Sequence, residues 1–213
     1  MITHHLNDKL LMAYSAGSLP EAFNLVVATH ISICDECRAR LASFDAIGGA
    51  LLDQDDSAEM GAQSLSTVMA RIKTAGPVAK EKPQTRDAVL PAPLVAAIGG
   101  GLDKVQWRAV GGGVRQAILK TSDKATARLL HIPGGVAVPD HGHQGLELTL
   151  VLQGAFRDED GRFGRGDIEI ASEEVEHTPV AEPGMDCICL AATDAPLKFR
   201  SILPRLAQPF LRI

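Results

Sequence analysis

The sequence predicts a multi-domain chain, α then β: a small helical bundle at the N-terminus and an antiparallel β-barrel at the C-terminal end. Three observations lead there. Apolar residues recur at helical spacing over residues 1–75, Pro and Gly interrupt every periodicity over residues 76–103, and short apolar runs between turn signals fill residues 104–196. Residues 197–213 read as a C-terminal tail, and a length of 213 residues accommodates two small domains.

The helical part divides into four segments. Leu6, Leu10, Leu11 and Tyr14 share a helix face, and Gly17 is placed to end that helix. Ser18-Leu19-Pro20-Glu21 reads as a capping box, with Ser18 as N-cap and Glu21 reaching back. The helix it opens continues through Phe23, Val26, Val27, His30 and Ile31. A third helix is expected from about Asp35 to Leu52 and a fourth from about Ser64 to Thr74. Pro77, Pro83, Pro91, Pro93 and Gly99-Gly100-Gly101 then mark a linker. Strands are expected at Val114–Thr121, Ala125–Ile132, Leu146–Gln153, Asp167–Ala171 and Asp186–Ala192. Gly134-Gly135, Asp158-Glu159-Asp160-Gly161 and Glu182-Pro183-Gly184 supply turns between them. Many short strands with frequent turns indicate a sandwich or barrel.

Bulk properties exclude several classes. With 46% hydrophobic and 22% charged residues the balance is that of a globular chain. A net charge of −5 argues against direct nucleic-acid binding, which needs clustered Lys and Arg against phosphate. No apolar run reaches the ~20 residues of a membrane span. The start, Met1-Ile2-Thr3-His4-His5-Leu6, has neither a basic region nor an apolar signal core, so the expected location is the cytoplasm. There the two cysteine pairs, Cys34/Cys37 and Cys187/Cys189, point to metal binding, redox chemistry or plain burial rather than a disulfide framework.

His30-x3-Cys34-x2-Cys37 is the main chemical signal of the first half, because i, i+4 and i+7 return to one face of a helix. A bare Cys-x-x-Cys fits buried thiols or a redox pair equally well. A histidine four residues earlier, with His4 and His5 available upstream, favours a tetrahedral zinc site. The pattern resembles the zinc-binding anti-sigma factors, and a spacing of 24 residues before His30 selects His5 as the fourth ligand. The resemblance implies that the helical domain inserts between the DNA-reading domains of an extracytoplasmic-function sigma factor.

The second half carries Gly135-x5-His141-x-His143-x3-Glu147-x6-Gly154. His141 and His143 alternate along an extended segment and so share a face. Glu147 follows beyond a bend at Gly145, and His177 follows the strand ending at Ala171. Three imidazoles and one carboxylate suit Zn, Fe, Mn or Ni. The spacing reproduces the first cupin motif, and the resemblance to cupins covers about residues 104–196, implying a jelly-roll barrel that binds a divalent transition metal. The second motif departs from the pattern: Gly164-Arg165-Gly166-Asp167 replaces a Pro-Gly-Asp turn, and no Asn follows His177. His131, in an apolar strand, reads as structural.

Cys187 and Cys189 alternate on a strand and project to one side. Beside the metal they would be oxidant-sensitive thiols, but the favoured reading is small hydrophobes in a β-core.

A helical zinc domain joined to a cupin resembles the ChrR-type anti-sigma factors over essentially the whole chain. That resemblance implies a non-enzymatic regulator of transcription, with inhibition by the N-terminal domain and release in response to singlet oxygen and related oxidative stress through the cupin domain. A metal-dependent cupin dioxygenase with an accessory N-terminal domain is the alternative, and a sensor holding a small molecule is a third reading.

Overall fold

The computed structural model describes residues 1–76, 86–142, 144–172, 176–196 and 198–199. Among the described residues, five α-helices precede the strands: α1 (Asp8–Ser15), α2 (Glu21–Ile31), α3 (Asp35–Leu52), α4 (Ser64–Thr74) and α5 (Ala92–Ile98). Helix α1 starts where the Asn7 side chain accepts from the Leu10 N–H at 2.9 Å, and ends before Gly17, whose φ of 64° a side chain would strain.

The expected capping box at α2 does not form. Ser18 donates its hydroxyl to the Ala13 carbonyl instead, Pro20 occupies the N-cap, and Glu21 accepts from the Ser122 N–H of the β part at 2.8 Å. The linker expectation also changes. Residues 77–85 lie outside the described residues, but Ala92–Ile98 within the supposed linker is helical. Pro91 at its N-cap removes no needed hydrogen bond, and buried Leu94 and Val95 dock α5 against α2.

The strands are β1 (Arg108–Gly111), β2 (Val114–Ile118), β3 (Thr126–Ile132), β4 (His141–Gly142), β5 (Glu147–Gln153), β6 (Ala155–Arg157), β7 (Arg162–Gly164), β8 (Ile168–Ala171), β9 (Glu176–His177), β10 (Val180–Ala181), β11 (Cys187–Thr193) and β12 (Lys198–Phe199). They form a six-stranded sheet in the order β1-β2-β3-β11-β5-β8, with two three-stranded sheets, β10-β6-β7 and β12-β4-β9. All pairings are antiparallel. The expected closed barrel is corrected accordingly: the described hydrogen bonding stays in three separate sheets. A corner at Gly154 sends the chain from the large sheet into a small one. Its φ is 69°, and an added Cβ would lie 2.7 Å from the Asp186 carbonyl oxygen.

Strands β5 and β11 are buried along almost their whole length, which the alternation of a half-exposed strand would not produce. The cause is a cover on each face. On one, Phe23, Val26 and Val27 of α2 share a core with Leu129, Leu148, Leu150, Ile188 and Leu190. On the other, Cys187 and Cys189 pack with Ile132, Val151, Phe156 and Phe163. The helical and β parts therefore share one apolar core.

Candidate metal centres

The first centre is assembled at a break between helices. His30 lies in the last turn of α2, which stops at Ser32; Cys34 is the N-cap of α3 and Cys37 lies in its first turn. Helical spacing put the three on one face; the structure brings them together across the break between the two helices instead, at the bounds expected for them. Cys34 has φ −111° and ψ 105°, and its sulfur accepts from the Cys37 N–H at 3.4 Å. The break folds the sulfurs back toward the imidazole. His5 comes from the extended arm before α1, anchored by Leu6, which is 1% exposed.

His30 Nε2 lies 3.3 Å from Cys37 Sγ, and His5 Nδ1 lies 3.3 Å from Cys34 Sγ and 3.7 Å from Cys37 Sγ. All four donor atoms fall within 4.8 Å of one another, so the cluster could hold a metal ion. Ligands on one tetrahedral zinc, with Zn–S about 2.3 Å and Zn–N about 2.0–2.1 Å, are separated by about 3.5 Å between nitrogen and sulfur, so the residues fit that ion. Burial lowers the His30 pKa to about 4 and leaves a neutral imidazole, the form that ligates. Burial also raises the Cys37 thiol to about 11, with Cys34 beside it adding to the effect, so ionising it calls for a cation. The α3 N-terminus favours thiolate at the same place. His5 Nε2 contacts Glu36 Oε2 at 3.2 Å, which turns Nδ1 toward the sulfurs. His4 turns away, toward Asp167 and Phe163.

The second centre lies in the β part. Strands β4 and β9 pair His141 directly with His177, bringing their Nε2 atoms to 3.2 Å. His141 Nδ1 lies 2.9 Å from the Pro139 carbonyl, and His177 Nδ1 lies 3.0 Å from Asp158 Oδ2 and 2.8 Å from Glu169 Oε1. Each Nδ1 thus has an acceptor for its proton, and the two Nε2 lone pairs converge. A proton or a metal ion between them relieves the repulsion, which fits a cation site. Glu147, the first residue of β5, is buried, accepts from the Thr149 hydroxyl at 2.9 Å, and acts electrostatically on His177. His143 lies outside the described residues.

Asp158 and Glu169 were not singled out by the sequence. With His177 they form the other group among the described residues whose donors lie within 4.8 Å. Asp158 reads only as a turn residue, and the one signal for Glu169 is its position two before Ala171 on an apolar strand. Burial lowers the pKa of His177, but the Glu169 and Asp158 carboxylates outweigh it and move the imidazole toward its charged form. Burial holds the Glu169 carboxyl above its ordinary range.

Cys187 and Cys189 are unbridged, buried, and 3.5 Å apart at sulfur. The neighbouring Cys187 and burial raise the Cys189 pKa, and Glu169 and Glu147 add to the shift. A buried thiol pair in an apolar layer accords with the reading as core residues, while Cys189 lies close enough to the carboxylates to feel their charge.

The family model of the ChrR cupin-like domain matches residues 96–196. The chain is 62% identical to the anti-sigma-E factor ChrR of Cereibacter sphaeroides over 213 residues, covering 100% of this chain and 99% of that one. Among solved structures, the chain resembles the anti-sigma ChrR in its crystal structure with SigE from Rhodobacter sphaeroides. The identity is 59% and the TM-score 0.81, over 91% of this chain and 100% of the other.

Proposed function

Since the chain belongs to the ChrR family of anti-sigma factors, we propose that it binds an extracytoplasmic-function sigma factor in the cytoplasm and holds it inactive through its helical region, residues 1–75. It is a regulator rather than an enzyme.

The observation that carries the reading is α4. None of its residues is buried, yet Leu65, Val68, Met69 and Ile72 form an apolar stripe at helical spacing, each between 45% and 73% exposed. Ile47, Leu51 and Leu52 on the outer half of α3, and Met60 between the helices, extend the apolar surface. An apolar helix face of this kind suits insertion into a groove of a protein partner. The homologous ChrR is seen in complex with SigE.

In this reading His5, His30, Cys34 and Cys37 hold zinc, which supplies a structural crosslink between the N-terminal arm, α2 and α3. His141, His143, Glu147 and His177 hold zinc or another divalent transition metal in the cupin region, with Asp158 and Glu169 orienting His177. The cupin region, residues 104–196, senses oxidative stress of the singlet-oxygen type and governs release of the sigma factor. No helix among the described residues is long and apolar enough to cross a membrane.

The test is in vitro transcription with the sigma factor encoded nearby. A Val68→Asp/Ile72→Asp chain should melt as the native protein does, since both positions are exposed, and should bind at least about 100-fold more weakly, as for two hot-spot side chains. Undiminished silencing by that variant removes the reading.

A further inference from the structure

The arm that delivers His5 is held by the cupin region. Asp167, 4% exposed, closes the turn between β7 and β8. Its Oδ1 accepts from the Thr3 N–H at 2.6 Å, the His4 N–H at 2.9 Å and the Thr3 hydroxyl at 3.2 Å. Its Oδ2 accepts from the Gly164 N–H at 2.8 Å, which fixes the carboxylate within its own turn. The Ile168 N–H returns a hydrogen bond to the His4 carbonyl at 3.3 Å. The His4 ring lies 4.3 Å from the Phe163 ring. Ile2 fills the space over Gly166, where an added Cβ would meet its Cδ1 at 2.7 Å. Residues 2–4 are thus seated on the cupin region at every position.

Two residues further on, the chain is held by the helical region: Leu6 is in its core, and the Leu6 carbonyl accepts from Arg40 at 2.9 Å. His5 sits between these two fixed points, with Nδ1 against the sulfurs of Cys34 and Cys37. A histidine supplied by an otherwise extended arm has little local reason to stay in place. Ordering its backbone costs conformational entropy, and the contacts at positions 2–4 supply what local structure does not.

We propose that Asp167 is a positioning residue for His5, so that retention of the metal by the helical region depends on the β7–β8 turn of the cupin region. The inference rests on the assignment of zinc to His5, His30, Cys34 and Cys37. It gives the cupin region a direct structural hold on the helical centre, separate from the chain that links them. Strand β8, which begins directly after Asp167, carries Glu169 in contact with His177, so groups at both centres are held from one short stretch of chain.

The experiment is alkylation of the zinc-loaded full-length chain by iodoacetamide, with the rate at each cysteine read by peptide mass spectrometry. In the native chain zinc should protect Cys34 and Cys37, and a chelator should expose them. Asp167→Ala should speed alkylation of those two about ten-fold, the scale of losing a partner that orients a metal ligand, and leave Cys187 and Cys189 unchanged. Asp167→Asn keeps one oxygen for the Thr3 and His4 donors but sets an amide N–H against the Gly164 N–H, so its rates at Cys34 and Cys37 should fall between those of the native chain and Asp167→Ala. Native rates in Asp167→Ala overturn the proposal. So does a parallel rise at all four cysteines, which would report general loosening. If zinc fails to protect Cys34 and Cys37 even in the native chain, the zinc assignment itself falls and the proposal with it.

Discussion

The two centres solve the problem of burying polar ligands in opposite ways. The helical centre gathers two thiols and two imidazoles from an arm and a helix break, with burial keeping His30 neutral. The β centre sets His177 against two carboxylates, and their charge outweighs burial and favours the imidazolium. A helix break brings several side chains to one point with short-range sequence spacing. A sheet brings together residues from strands far apart, here Asp158, Glu169 and His177. The first arrangement favours one closed tetrahedral ion; the second, with its bank of acids, can exchange a proton for a metal. Under the proposed function, those different chemistries suit a crosslink and a responsive site.

The sharpest way to break this contrast is to remove the thiols. Cys34→Ser/Cys37→Ser should abolish zinc binding in the helical region and sigma silencing together, because zinc affinity in such sites is worth roughly 10–16 kcal/mol of folding free energy. Zinc stoichiometry and in vitro transcription check it, and full silencing by the variant would show that the cluster is not a structural crosslink.

Acid and base should affect the metal-free chain at different centres. His30 has a folded pKa lowered from 6.5 to about 4, so the unfolded chain binds the extra proton between those values. Its contribution is therefore present above pH 6.5 and lost as pH falls toward 4, about 3 kcal/mol in all. His177 is shifted upward, so its contribution is present below pH 6.5 and is lost as pH rises through the folded value. Hydrogen exchange across the titration should show α2 loosening first in acid and β9 first in base. The reverse order would overturn the electrostatic account.

Smaller effects come from the groups that orient the ligands. Asp158→Asn or Glu169→Gln should weaken metal binding at the β centre by about 10–100-fold, measured by competition with a chelator, and leave the helical centre alone. Glu36→Gln should change helical zinc affinity by no more than about five-fold, because its carboxylate is 61% exposed and surface charge pairs contribute roughly 0–1 kcal/mol. A larger loss from Glu36 than from Glu169 would invert the comparison.

Much of this was legible beforehand because it is local. The bounds of α3 and α4, the strands around β3, β5 and β11, and the turn at Gly17 follow from periodicity and chain-breaking residues. His30, Cys34 and Cys37 were legible from spacing, and His5 from the resemblance; the helix bounds on either side of Ser32 were legible too, but not that Cys34 would cap α3 and turn its sulfur inward. The capping box failed because Ser18 and Glu21 found partners elsewhere, Glu21 at Ser122, 101 residues away. Helix α5 was hidden by prolines that turn out to start it.

The sequence by itself determined the order of helices and strands and the candidate ligand types, since these depend on side-chain chemistry at short separation. Only the tertiary structure decided that the sheets stay open, that α2 covers β3, β5 and β11, that Asp158 and Glu169 attend His177, and that Asp167 grips the arm of His5. Each of those is a choice of partner across a long stretch of chain. A carboxylate carries no mark in the sequence of which N–H it will meet, and packing alone brings the two together.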